Sequence, residues 1–129
     1  MKTMRNPDNV HPPLAQYSHQ IEITGPQRWL LLAGQVGMAL DGTLSADPAE
    51  QLEMALENIQ RNLEAAGMAV NDIVKLTIYL VENMDADKRR EILSKWLGEH
   101  APTMTLVYVA ALATPAIKLE VEASACVDA

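Results

Sequence analysis

The longest stretch of regular patterning runs from Gln51 to Val81, QLEMALENIQRNLEAAGMAVNDIVKLTIYLV. In its first half Leu52, Leu56, Ile59, Leu63 and Ala66 recur at helical spacing and make one apolar stripe, which predicts an amphipathic helix. Asp47, Pro48 and Glu50 mark the start, as an N-cap carboxylate, a proline at the first helical position and a capping-box acid. Gly67 marks the stop, because glycine accepts the left-handed conformation that closes a helix. Beyond Asn71-Asp72 the period changes to two: Val74, Leu76, Ile78 and Leu80 alternate with Lys75, Thr77 and Tyr79, as in a strand with one buried face.

Similar patterns flank this block. His19 to Thr24 alternates like a strand, Gly25-Pro26 turns it, and Trp29 to Val36 reads as a second, strongly apolar strand ending in Gly34-Gln35. Asp85 to Gly98 predicts a second helix with Ile92, Leu93, Trp96 and Leu97 inward. Two strands follow: Thr103 to Ala110, with Met104, Leu106 and Tyr108 on one face, and Ile117 to Ala125, with Ile117, Leu119 and Val121 set against Lys118, Glu120 and Glu122. The order is ββαβαββ with no linker or repeat, so residues 1–129 read as a single α+β domain, with a loose polar segment over 1–15. Two helices cover one face of such a sheet, and the other face must meet water or another subunit. Met104, Leu106 and Tyr108 either pack beneath the helices or, if they point away, favour oligomerisation.

Composition narrows the function classes. A chain of 129 residues that is 49% hydrophobic can build a core, but with no phenylalanine it must fill that core with aliphatics and methionine. A formal charge of −7 with no basic stripe argues against a nucleic-acid partner. The run Lys88-Arg89-Arg90 sits beside Asp85, Asp87 and Glu91 and reads as a solvated helix face. The lone Cys126 excludes an intrachain disulfide, and no apolar run is long enough to span a membrane, so a cytoplasmic protein is expected. His19 and His100 have no second histidine or acid at metal-ligand spacing, and no phosphate loop or nucleophile elbow is present.

The ordered marks Tyr17, Ala33-Gly34-Gln35, Asp41-Gly42, Gln51, Leu56-Glu57-Asn58-Ile59, Leu63 to Gly67, Val74 to Leu80, Pro102 and Leu119-Glu120-Val121-Glu122 resemble the Rid family, also called YjgF-type or RidA-like proteins. The resemblance covers nearly the whole chain. It implies a chorismate-mutase-like fold assembled as a homotrimer, with small-molecule clefts between neighbouring subunits. In deaminating members it implies hydrolysis of 2-imino or 2-enamino acids to 2-oxo acids and ammonia, with no metal or organic cofactor.

An imine carbon is already electrophilic, so such an enzyme need only hold the substrate, favour its protonated form and orient water; anchoring is decisive. The family motif Pro-x-Arg-Ser grips the substrate carboxylate with a two-pronged guanidinium, an interaction methionine cannot make. Here the motif reads Pro102-Thr103-Met104-Thr105, and Leu106 stands where the family often has cysteine. Ala33 replaces the serine of Ser-Gly-Gln, and the family's second-helix Asn and Tyr fall at Arg90 and Leu93. Tyr17, which in the family covers the ligand, and Glu120, which helps place the attacking water, remain. The candidate site is therefore Glu120 for catalysis, with Tyr17, Gly34, Met104 and Leu106 for binding. Arg28, Arg61, Arg89 and Arg90 occupy positions with good solvent-facing explanations, so none is expected to replace the missing arginine.

The expected function is a Rid-like trimer that binds a small, largely apolar or uncharged metabolite without the usual imino-acid deaminase activity. The alternative is an imine or enamine deaminase that uses Glu120 and water but grips its substrate differently. A protein-interaction or RNA-directed role is a third reading, and the acidic charge weighs against its RNA version.

Overall fold

The apolar stripe of the longest helix determines where the core lies. In the computed structural model, which describes residues 1–129, α1 spans Pro48–Ala65 and buries Leu52, Ala55, Leu56, Ile59 and Leu63. Asp47 caps it by accepting from the Ala49 amide at 3.0 Å. Glu50 does not close the expected capping box: its carboxylate takes the Ser45 hydroxyl at 2.6 Å, and Ser45 Oγ in turn accepts the Asp47 amide at 3.1 Å. The helix ends as its sequence predicts, with Gly67 at φ +70°, the Gly67 amide on Glu64 O and the Met68 amide on Leu63 O.

The other elements are β1 (Lys2–Arg5), β2 (Gln20–Ile23), β3 (Gln27–Leu31), β4 (Ile73–Leu80), α2 (Ala86–Leu97), β5 (Thr103–Tyr108) and β6 (Leu119–Asp128). The architecture is the expected α+β, with one added strand. Residues 2–5, expected in a loose segment, pair antiparallel with β2, held by Lys2 Nζ on Cys126 O at 2.5 Å and by Met1 N on Thr24 O at 2.6 Å. Local polarity conceals this strand because its partner is more than fifteen residues away and the hairpin is half solvated. The second strand is shorter than the apolar run suggests, ending at Leu31, and the last strand runs on to Asp128.

The main sheet has the order β3-β6-β4-β5, antiparallel except for the β4–β5 pair, which α2 connects. Registered partners share a face, so Leu76, Ile78 and Leu80 of β4, and Leu119, Val121 and Ala123 of β6, lie together under the helices. Met104 and Leu106 register with Leu76 and Ile78 and pack against this core, so they are helix-side residues. The opposite face carries Lys75, Thr77, Tyr79, Thr105, Glu120 and Glu122, with Leu31 (75% exposed), Trp29 (51%) and Val107 (38%) supplying its apolar part. An apolar open face exists, then, but different side chains make it from those the sequence brought into question. Tyr108 ends β5 half exposed.

Two polar side chains on α1 fix the loops that carry site residues. Gln51 is fully buried; its Nε2 donates to Ser45 O at 2.6 Å and Ala116 O at 2.9 Å, and its Oε1 accepts the Lys118 amide at 2.9 Å. Asn58 Nδ2 donates to Val36 O at 3.0 Å and Met38 O at 2.9 Å. Gly37 lies so close to α1 that a Cβ there would stand 2.4 Å from Gln51 Cα. Replacing Gln51 by leucine strands three backbone groups in a dry site, and we expect Gln51→Leu to lower unfolding free energy by about 3 kcal/mol in chemical denaturation. A loss below about 1 kcal/mol would show that water reaches these groups.

Candidate functional site

The residues singled out in the sequence fall into two clusters on opposite faces of the sheet. The first forms where β3 runs out. Gln35 exchanges backbone hydrogen bonds with Val121, N to O at 2.8 Å and O to N at 2.9 Å, which draws the 33–35 segment alongside β6. Gly34 then faces Glu120 so closely that a Cβ would stand 1.9 Å from Glu120 Oε1. The Glu120 carboxylate occupies the space a side chain at position 34 would take, so a larger residue there would displace it. Tyr79, paired with Glu120 across β4 and β6, donates its hydroxyl to Glu122. These groups line a concavity of about 390 Å³ with Val109, Ala111 and Leu112.

The electrostatics of this cluster favour a protonated phenol beside two carboxylates. Glu122's hydrogen bond raises the Tyr79 phenol above its ordinary 10, with desolvation and the charges of Glu122 and Glu120 adding to it. Tyr79 is thus held as a neutral donor beside the Glu120 carboxylate, which makes no side-chain hydrogen bond of its own. Sequence reasoning did not assign a site role to Tyr79 or Glu122. The available signal was their phase: Tyr79, Glu120 and Glu122 all fall on the polar beat of their strands.

The second cluster lies at the edge of the sheet, between β5, α2 and the segment before β2. The Gln16 amide donates to Gly98 O and His100 O, both at 2.8 Å, while Ser18 donates to Ala101 O at 2.6 Å and Pro102 O at 3.1 Å. These bonds tie residues 16–18 to the loop that leads into β5. Tyr17 is held between them, its hydroxyl accepting the Leu14 amide at 3.2 Å and its ring edge-on to His19 at 5.5 Å. Leu14, Leu93, Leu97 and Met104 wall a narrow pocket of about 140 Å³, with Arg90 and Ser94 on its helical side. Leu106 is outside this pocket and packs against the core. Arg90 is exposed, as expected of a solvent-facing position, and also lies at the rim of this pocket.

The structure therefore joins Gly34 to Glu120 and brings Met104 near the Tyr17 segment, but it does not bring Glu120 and Met104 together. The β4 register forbids it, since Tyr79 beside Glu120 and Leu76 beside Met104 point to opposite faces. No gathering of three or more His, Cys, Asp or Glu side chains offers a metal site, and no helix is long and apolar enough to cross a membrane.

The geometry agrees with what comparisons of the whole chain find. The family model described as Endoribonuclease L-PSP matches residues 8–127. A RutC family protein of Pyrococcus horikoshii is 32% identical over 127 residues, 97% of this chain and 98% of that protein. The crystal structure of YyfB, a protein of unknown function of the Rid family from Yersinia pestis, superposes with a TM-score of 0.84 at 29% identity over 98% of both chains. The putative reactive intermediate deaminase TdcF of Escherichia coli is 36% identical over 65% of this chain and 67% of that protein. Its structure with bound serine superposes with a TM-score of 0.68 at 31% identity, over 90% of this chain and 89% of that one.

The Tyr79–Glu122 contact makes a prediction that alkaline spectrophotometric titration can check. One of the three tyrosines should ionise above 10, and Glu122→Ala should return it toward that value. Because the neutral phenol is favoured in the fold, the contact stabilises fully below the unfolded-state tyrosine pKa and fades as pH rises through the folded one. Three tyrosines titrating together in both proteins would contradict the contact.

Proposed function

The chain belongs to the Rid family, the group described as Endoribonuclease L-PSP, and from this premise we propose that it is a cytoplasmic homotrimer binding a small metabolite in clefts between its subunits, without standard 2-imino acid deaminase activity. The observation that carries this reading is Met104, an uncharged thioether in the place where deaminating relatives are expected to present an arginine to a carboxylate. The placement of the two clusters supports assembly. Within one chain the Glu120 concavity and the Met104 pocket lie on opposite faces, so a ligand touching both must lie where two copies meet. The apolar open face around Trp29, Leu31 and Val107 offers surface for such a meeting. The serine bound to TdcF shows the scale of ligand that one relative accepts.

A second reading has its own support. The Glu120 carboxylate makes no hydrogen bond with another side chain, while Tyr79 is held as a neutral donor beside it. Those two groups could serve hydrolysis of an imine or enamine: Glu120 accepts a proton as water oxygen bonds to the imine carbon, and the nitrogen leaves as ammonia after taking up protons, giving a carbonyl product. What this chain lacks for 2-imino acids is the grip on their carboxylate at position 104.

The test is hydrolysis of freshly generated 2-iminopropanoate and 2-iminobutanoate, with sedimentation of the same samples. Wild type is expected to sediment as three chains and to leave the spontaneous rate unchanged, whereas Met104→Arg should accelerate it. Acceleration by wild type that disappears in Glu120→Ala would establish the deaminase reading instead. A monomer at micromolar concentration would remove the shared cleft.

A further inference from the structure

The loss of a guanidinium at position 104 leaves the pocket beside α2 with an apolar floor, but not without a cation. Arg90, Leu93, Ser94 and Leu97 follow one another at helical spacing along the face of α2 that lines this pocket, with Met104 of β5 opposite. We propose that Arg90 is the anion anchor of this pocket and that its ligands are carboxylic acids with an extended apolar body. The hydrocarbon part lies on Met104, Leu93 and Leu97, and the carboxylate meets the guanidinium at the rim. This rests on the reading that the pocket is part of a small-molecule cleft, and it refines the apolar or uncharged ligand that Met104 alone suggests.

The neighbouring charges single out Arg90. Of the three consecutive cations on α2, Lys88 faces the separate groove between the helices, where it approaches Glu91 at 4.0 Å. Arg89 donates to the Tyr108 hydroxyl at 3.4 Å. Arg90 has one ionic neighbour, Asp87, at 3.6 Å, and that carboxylate is 96% exposed, so water screens the pair and it competes weakly with a ligand. No acidic side chain lines the pocket. Gln16, the other polar wall residue with a long side chain, already spends its amide on Gly98 O and His100 O. Ser94 adds a hydroxyl, which with the planar guanidinium fork suits a two-oxygen anion.

Spacing along the helix sets the selectivity. Arg90 and Leu97 stand seven residues apart, about 10 Å along the helix axis, and Met104 faces the apolar end of that span. An acid of two or three carbons whose carboxylate reaches Arg90 leaves Leu97 and Met104 uncovered. A longer acid covers them and gains the burial of its methylenes, each worth about fourfold in affinity.

The experiment uses the full chain and three probes, hexanoate, acetate and hexanol, followed by calorimetric or NMR titration with wild type, Arg90→Gln and Arg90→Lys. Wild type is expected to prefer hexanoate to hexanol by about tenfold, and to acetate by about two-hundredfold when all four added methylenes are buried. Arg90→Gln should lose about that preference over hexanol while binding hexanol as before, and Arg90→Lys should recover part of it. Hexanoate and hexanol binding equally to wild type, with no change in Arg90→Gln, would overturn the anchor and leave the cleft standing. Failure of every probe to bind wild type that is folded by circular dichroism would overturn both the anchor and the cleft. Arg90 is exposed, so its variants should fold, and the melting temperature of each checks this.

Discussion

The alternation of β4 is the constraint on which the arrangement of this molecule depends. Leu76, Ile78 and Leu80 are each 1% exposed or less, so shifting the strand by one residue would drive Lys75, Thr77 and Tyr79 into the core and bring those three leucine and isoleucine side chains to water. Burying each such side chain is worth about 2 kcal/mol, so the register is strongly held. Glu120, Glu122 and Met104 take their facing from it. Glu120 and Glu122 face the open side because they pair with Tyr79 and Thr77, and Met104 faces the helices because it pairs with Leu76. The separation of the two clusters is thus a property of the sheet, and no side-chain rotation can bring them together within one chain.

The half built on Glu120 is rigid on one side and free on the other. Gln51 and Asn58 hold the backbone of the loops around it from α1, and the Gln35–Val121 bridge holds Gly34 against β6. The carboxylate of Glu120 itself lies over Gly34 with no side-chain partner. A group that lacks an internal partner, on a backbone that is well fixed, is suited to receive a water or ligand without reorganising the fold. Glu122 differs, because its capacity is already directed to Tyr79.

Much of the fold was legible from periodicity, since α1, β4, α2 and β5 bury a continuous stripe or alternate face and need no distant partner to be recognised. What periodicity could not give was anything decided by a partner remote in sequence. The strand Lys2–Arg5 exists because β2 and the end of β6 receive it, and its own residues carry no buried face. The side on which Met104 and Leu106 stand was open for the same reason: alternation groups them together, but only pairing with Leu76 and Ile78 says which layer they meet. At the candidate site, Glu120, Gly34 and Met104 could be found because a family resemblance pointed to them. For Tyr79 the phase of its strand gave the face but not the hydrogen bond to Glu122, and Arg90 gave no signal, since it lies at the rim of a pocket whose other wall is some seventy residues earlier in the chain.

Methionine at position 104 also changes the balance between an empty and an occupied site. An arginine there would project from β5 among Leu93, Leu97 and Leu14, and without an anionic ligand its charge would be partly desolvated and unpaired, a burden on the empty fold. Methionine carries no such burden and adds its own contacts to the apolar wall, adapting to the gap with three soft torsions. In the proposed binding mode, discrimination moves from charge at the bottom of the pocket to shape along it, with charge confined to the solvated rim at Arg90. Under that proposal the pocket binds through displaced water and packing on its floor, and a small, highly polar imino acid gains little from either. On the proposed reading, methionine in place of the family's anchor redirects the preference of the pocket toward larger, more apolar molecules.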